Sequence, residues 1–172
     1  MSVTAKDYRR PDLRINLGGD PCWIISSVID GLGSSGLKDS ACVLFSFPTD
    51  GQQIIIQEIV VRVISAFNAT TTFELGRYTL ATDNLALPDV ATLVDSDAYV
   101  RAMDIDPLTV GWYYPSGGEF VDARESGITS DGSNLIVGAS TNVPAVALTP
   151  KVATITTGRI QVLMCISIVP IV

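Results

Sequence analysis

The side chains that most often carry enzyme chemistry are scarce in this sequence, which contains no histidine. Histidine is the commonest general base, the usual partner of a serine or cysteine nucleophile, and a frequent metal ligand. A Ser-His-Asp or Cys-His site therefore cannot be built from this chain alone. Carboxylate pairs for glycoside cleavage could include Glu119 or Glu125, but every acidic protein offers such pairs. We expect no catalytic residues and no enzymatic activity.

A glycine-rich segment, residues 31–36 (GLGSSG), has the G-x-G-x-x-G spacing of dinucleotide-binding loops. In those loops the last glycine opens a helix whose N-terminus holds a pyrophosphate. Here residues 37–41 lead directly into the apolar run 42–47, which is typical of a strand. We interpret the segment as a flexible loop and expect no cofactor.

Six aspartates with one arginine among them form an acidic stretch between Asp83 and Asp106. The alternate spacing of Asp95 and Asp97 is one that calcium loops use. The glycine and glutamate that complete an EF-hand are missing. We favour a solvated or subunit-facing acidic surface and predict no metal site, while a structural cation stays an alternative.

Three cysteines, Cys22, Cys42 and Cys165, lie inside apolar runs. An odd number without short spacing argues against a disulfide framework or a metal knuckle. We interpret them as small buried hydrophobic side chains.

Three adjacent aromatic residues, Trp112, Tyr113 and Tyr114, are the most distinctive local feature. On a strand, Tyr113 points to one face and its two neighbours to the other. One face is predicted to pack in the core. The other is a candidate contact for a neighbouring subunit or a stacking platform for a sugar.

The composition describes one domain with much apolar surface to bury. Of 172 residues, 47% are hydrophobic and 17% are charged. A domain of this size buries roughly 70% of the surface that its unfolded chain exposes, so it needs no metal or disulfide to fold. The thinly charged exterior predicts that part of the apolar surface is covered by other subunits.

The net charge of −7 is unevenly distributed. The first 16 residues hold four basic side chains against two aspartates; the basic ones are Lys6, Arg9, Arg10 and Arg14. This basic segment is predicted to dock on a negatively charged partner, with an ordinary solvated terminus as the alternative. The rest of the chain has no Lys/Arg cluster, so we expect no nucleic-acid partner.

No secretory signal follows the basic residues, and the longest apolar stretch, residues 160–172, is interrupted by polar residues. It is too short to span a bilayer as a helix. We expect a soluble protein made in a cytoplasm and without membrane contact.

Short apolar runs alternate with turn signals such as Asp-Gly pairs along most of the chain. Period-2 alternation predicts long strands at residues 54–67 and from residue 160 onward. Shorter strands are predicted at 23–29, 43–47, 71–75, 99–103, 110–114 and 135–137, and one short helix at 88–95. The pattern predicts an all-β, jelly-roll-like β-sandwich over residues 21–172, preceded by an extended N-terminal arm, residues 1–20.

Two segments carry a family resemblance: residues 47–76, FPTDGQQIIIQEIVVRVISAFNATTTFELG, and residues 156–164, TTGRIQVLM. Their pattern is a long strand ending in Ala-Phe, a Thr-rich turn, a short strand closed by Leu-Gly, and a final strand opened by a Thr-Gly turn. In this pattern the chain resembles small structural proteins of tailed bacteriophages.

The resemblance implies a jelly-roll-like virion component, a head decoration or cement protein that assembles as a trimer on the outer capsid surface. Its implied partners are copies of itself and the major capsid protein, which the basic arm would help to clamp. A tail, collar or fibre-attachment component is an alternative within the virion. A carbohydrate-binding module that uses Trp112 and Tyr114 is an alternative from another class.

Overall fold

The computed structural model describes residues 2–7, 21–31, 41–47, 53–80, 90–103, 108–114, 135–137 and 143–169. The regular elements in these ranges are all β-strands, so the ranges hold no helix that could cross a membrane. The strands are β1 Ser2–Asp7, β2 Cys22–Ile25, β3 Ile29–Asp30, β4 Ala41–Ser46, β5 Gln53–Ser65, β6 Phe73–Leu80, β7 Val90–Met103, β8 Gly111–Tyr113, β9 Leu135–Val137, β10 Val143–Pro150 and β11 Arg159–Val169.

The strands form two sheets that pack against each other. The first sheet has the order β1-β4-β10-β6-β7 and closes into a five-stranded barrel through the pairing of β1 with β7. The second has the order β2-β11-β5-β8, with β3 also on β11 and β9 also on β5. Neighbours are antiparallel except β1 and β4. The predicted all-β sandwich is confirmed; the closure of one sheet on itself was not predicted.

Among the described residues, two clusters of buried side chains make the core. The larger lies between the sheets and includes Phe45 and Leu148 from the barrel with Val61 and Met164 from the second sheet. The smaller lies on the opposite face of the barrel strands and is composed mostly of small residues: Ala41, Val43, Tyr78, Leu80, Val143, Ala145 and Ala147. Five strands enclose a narrow space, which explains the preference for alanine and valine there.

Strand β10 is buried along all eight residues. One face contributes Ala145 and Ala147 to the barrel interior, while the other contributes Val146 and Leu148 to the layer between the sheets. A strand buried on both faces reads as a continuous apolar run rather than as an alternation. For this reason, and because it contains two prolines, β10 was not predicted.

The helix predicted at residues 88–95 is wrong from Val90 onward. These residues begin β7, which pairs with β1 and β6. Val90, Thr92 and Val94 are β-branched at alternate positions, and such side chains lose rotamer freedom in a helix but pack well on a pleated sheet. Residues 88 and 89 lie outside the described part of the chain.

The N-terminal residues 2–7 do not form the separate extended arm that the sequence predicts. Ser2–Asp7 form β1, which pairs with β4 from Ala5 to Asp7 and with β7 from Ser2 to Thr4. These six residues close the barrel and belong to the β-domain. The remainder of the predicted arm, residues 8–20, lies outside the described residues.

Two connections join the sheets and bind each other; we call them the interlocked crossovers. Residues 66–72 lead from β5 in the second sheet to β6 in the barrel, and residues 151–158 lead from β10 in the barrel to β11 in the second sheet. The buried Thr71 hydroxyl accepts hydrogen bonds from the backbone N–H groups of Val152 (3.2 Å) and Ala153 (3.4 Å).

Asn68 binds the other end of the same crossover. Its side-chain oxygen accepts the backbone N–H groups of Thr156 at 2.8 Å and Thr157 at 3.1 Å. Gly158 follows with a φ of 99°, and an added Cβ there would collide with the ring of Phe67. A glycine is therefore required at the predicted Thr-Gly turn. The two segments that carry the family resemblance meet at this point, although β6 continues past Gly76 to Leu80.

We expect Asn68→Ala to lower the free energy of unfolding by about 1–2 kcal/mol, because the N–H groups of Thr156 and Thr157 lose their shared acceptor. Asn68→Asp keeps an acceptor oxygen in the same place and should cost less than half as much. Urea unfolding of the three proteins measures both values. Equal losses in the two variants would contradict the role given to the oxygen.

Tyr78 places a phenol inside the barrel. Its hydroxyl lies 3.1 Å from the hydroxyl of Thr149, and both residues are buried. Burial raises the pKa of Tyr78 above its ordinary value of 10.0, because desolvation of the phenolate outweighs the hydrogen bond with Thr149. The folded protein therefore keeps this proton at pH values where the unfolded chain has lost it.

Linkage then predicts that the free energy of unfolding decreases as the pH rises above about 10, the unfolded pKa, toward the higher folded pKa. Tyr78→Phe removes this titration, so its unfolding free energy should depend less steeply on pH in that window. Burial also raises the pKa of Cys165. Its effect on the pH dependence of the unfolding free energy is the same in both proteins and therefore cancels in the comparison. Parallel pH curves for the two proteins would contradict the prediction.

Candidate functional site

The outer face of the second sheet carries three exposed aromatic side chains. Trp23 and Trp112 are each 52% exposed and Tyr114 is 61% exposed. They border a shallow cavity of about 190 Å³, the aromatic groove, which is lined by Trp23, Glu58, Val60, Trp112, Tyr114 and Leu163. Exposed aromatic side chains grouped around one depression are typical of a contact surface.

The strand register brings these residues together from distant parts of the chain. Leu163 on β11 pairs with Val60 on β5, and both lie in the centre of the groove. Trp23 on β2 pairs with Cys165, the β11 residue that also faces Glu58. On the other side of β5, Trp112 of β8 pairs with Arg62.

The groove is apolar in its centre and charged at its edge. Val60 is 4% exposed, whereas the charged residues two positions before and after it on β5, Glu58 and Arg62, are exposed. The Arg62 guanidinium lies over the Trp112 ring, 5.2 Å from its centroid. This cation–π contact limits the positions available to both side chains.

Tyr113 points away from the groove. It packs against the core between the sheets, and its hydroxyl donates a 2.7 Å hydrogen bond to the carbonyl oxygen of Thr109. The predicted division of the three aromatics between the two faces is confirmed. The contact role predicted for Trp112 and Tyr114 stays a prediction, and Tyr113 serves packing.

Sequence reasoning missed four residues of the groove: Trp23, Glu58, Val60 and Leu163. Each lies on a strand that the pattern predicts, and the alternation along β5 does place Glu58, Val60 and Arg62 on one face. What the pattern omits is that β2, β11, β5 and β8 are neighbours in that order. Without this order, Trp23 cannot be assigned to the same surface as Trp112.

The other candidates are not placed near the groove by the described residues. Lys6 lies on β1, opposite Cys42 of β4. Arg9, Arg10 and Arg14 lie outside the described part of the chain, as do residues 32–36 of the glycine-rich segment. Of the acidic stretch, Asp95 and Asp97 lie on β7 and the other aspartates lie outside the described ranges.

The described residues contain no group of three or more His, Cys, Asp or Glu side chains that could hold a metal ion. Cys42 and Cys165 are buried and Cys22 is partly buried; all three are free thiols, as predicted for small hydrophobic residues. The groove offers apolar burial, indole and phenol rings for stacking, the Glu58 carboxylate, and beside Trp112 the Arg62 guanidinium.

No protein-family model matches the sequence, and no curated protein does. A solved structure described as the capsid of Ralstonia phage GP4 is similar in fold. The similarity covers 92% of this chain and 90% of that chain, with a TM-score of 0.57 and 15% sequence identity. At this identity the likeness shows a shared fold over nearly the whole length of both chains.

The groove is predicted to contribute little to folding. Trp112→Ala should lower the free energy of unfolding by about 1–2 kcal/mol, since the side chain is half exposed and loses only part of the burial of a core residue. Phe45→Ala, in the core between the sheets, should cost about 3–5 kcal/mol. Denaturant unfolding compares the two. A loss at Trp112 as large as that at Phe45 would show that the aromatic face is part of the core.

Proposed function

We propose that this protein is a non-enzymatic structural component of a bacteriophage virion. The observation that carries the proposal is the fold shared over 92% of this chain with a chain from a phage capsid. Within the virion we propose the role of a decoration or cement protein on the outer surface of the head, where it bridges shell subunits. Its localisation would be the capsid exterior after synthesis in the host cytoplasm.

A second line of support does not depend on that comparison. The described residues of the two segments that resemble small phage structural proteins lie together in the structure: they comprise β5, the 66–72 crossover, the end of the 151–158 crossover and the starts of β6 and β11. They hold the two sheets together. A resemblance that covers a structural unit supports a common architecture better than scattered matches do.

The physical properties of the described residues suit such a role. A sandwich in which β4 and β10 are buried on both faces gives a rigid body, and the exposed groove gives an adhesive surface. The proposed partners are the major capsid protein and other copies of this chain, as a trimer. Neither nucleic acid nor a membrane is among them.

A tail, collar or fibre-attachment component would need the same fold and the same adhesive face. A carbohydrate-binding module is the second candidate, and the aromatic groove is the observation that favours it. Indole and phenol rings bordering a cavity with a carboxylate, Glu58, at its edge offer stacking and hydrogen bonding to a sugar ring.

Purified protein mixed with particles from its source lysate should sediment with them, and electron microscopy should show regular density over the shell. Density confined to the tail would replace decoration by the attachment role. No association with particles would remove the virion proposal. Tryptophan fluorescence titrated with host polysaccharides would then test the sugar-binding alternative.

The same assay tests the basic segment. Deleting residues 1–16 would remove β1 and open the barrel, so we choose the triple substitution Arg9→Ser, Arg10→Ser and Arg14→Ser instead. If these side chains clamp the capsid, the affinity for particles should decrease and its dependence on salt should weaken. Arg159→Ser, which removes an exposed arginine from the second sheet, is the control and should bind as the unmodified protein does.

A further inference from the structure

The aromatic groove has the composition of the centre of a protein–protein interface. Tryptophan, tyrosine and arginine are the side chains enriched at the centre of such interfaces and among their energetic hot spots. Trp23, Trp112, Tyr114 and Arg62 are all exposed on this one face, around the apolar centre Val60 and Leu163.

The charges on the face are arranged in a self-complementary way. Glu58 and Arg62 lie on the same strand and the same face, with Val60 midway between them. Because β5 pairs with β11 in regular register from Glu58 to Arg62, the two charged residues are about 13 Å apart along the strand. Along the strand, the outer face of β5 therefore presents an acidic, an apolar and a basic side chain in that order: Glu58, Val60 and Arg62. Rotating it by 180° gives base, apolar, acid, which is its electrostatic complement.

We infer that this face binds the same face of a second copy of the chain around a two-fold axis. Ile25, Leu163 and Val60 are paired across β2, β11 and β5 and so form a row perpendicular to the strands. The two-fold axis would lie in the interface, directly above this row and parallel to it. Val60 and Leu163 then meet their own counterparts. Glu58 lies opposite Arg62 of the second copy, and the pair occurs twice, as an isologous interface requires.

The aromatic side chains fit the same arrangement. Trp112 of β8 lies beside Arg62, on the side of β5 away from β11. Since the axis brings Arg62 opposite Glu58 of the second copy, it brings Trp112 opposite the position next to that Glu58. Trp23 lies two strands to the other side, in the row of Glu58. The indoles of the two copies therefore lie at separate positions and do not face each other.

Charge complementarity favours a second copy over a glycan or a strongly charged foreign protein. Copies of a chain with a net charge of −7 repel one another at long range, and a face with one acid and one base is where that repulsion is locally cancelled. The inference stands independently of the virion role, because it depends only on this face. If the body also forms a trimer through another surface, the two-fold contact would link trimers.

Two charge reversals test the geometry. Glu58→Arg places two arginines opposite two arginines, and Arg62→Glu places two glutamates opposite two glutamates, so each variant alone should associate at least about tenfold more weakly. Mixing the two variants creates opposite charges at both contacts, and the mixture should recover the self-affinity of the unmodified protein within about threefold. The double variant, Glu58→Arg with Arg62→Glu, should recover it as well.

Sedimentation equilibrium over a range of concentrations gives these affinities, and denaturant unfolding verifies that each variant is folded. Trp112→Ala should weaken association, whereas Val152→Ala, which truncates an exposed apolar side chain in a crossover, should not. The inference is overturned if the unmodified protein shows no concentration-dependent association, if single reversals associate normally, or if the mixture fails to recover. Quenching of tryptophan fluorescence by a host glycan in a non-associating protein would assign the groove to sugar instead.

Discussion

The structure depends on a layer of strands that is buried on both faces. β4 and β10 lie between the barrel interior and the second sheet, and all of their side chains except Ser46 are buried. The barrel face admits alanine and valine because five strands leave little room, while the other face carries Phe45, Leu148 and similar large residues. The large side chains on that other face form the layer that packs against the second sheet.

The interlocked crossovers give that layer its alignment. Each connects one sheet to the other, and hydrogen bonds through Asn68 and Thr71 join the two connections to each other. The backbone approach is so close that Gly158 admits no side chain. The two segments that carry the resemblance to phage structural proteins meet at these hydrogen bonds.

In the described part of the chain, the inner face of the second sheet packs in the core while its outer face carries the exposed Trp23, Trp112 and Tyr114. Glu58 and Arg62 lie on either side of the apolar pair Val60 and Leu163 on that face. The inner surface and the barrel contribute the buried core. In the proposed virion role, the outer surface of the second sheet would contact partners.

The sequence by itself determined the all-β class, the long strands β5 and β11, the Thr-Gly turn, and the opposite facing of Trp112 and Tyr113. These follow from period-2 alternation and from turn chemistry, which act between near neighbours. Tertiary structure decided the barrel closure through β1, the doubly buried β10, the strand start at Val90 and the union of Trp23 with Trp112 on one face. Those features depend on which strands pair, and pairing is selected by contacts between residues far apart in the chain, where a local pattern carries no information.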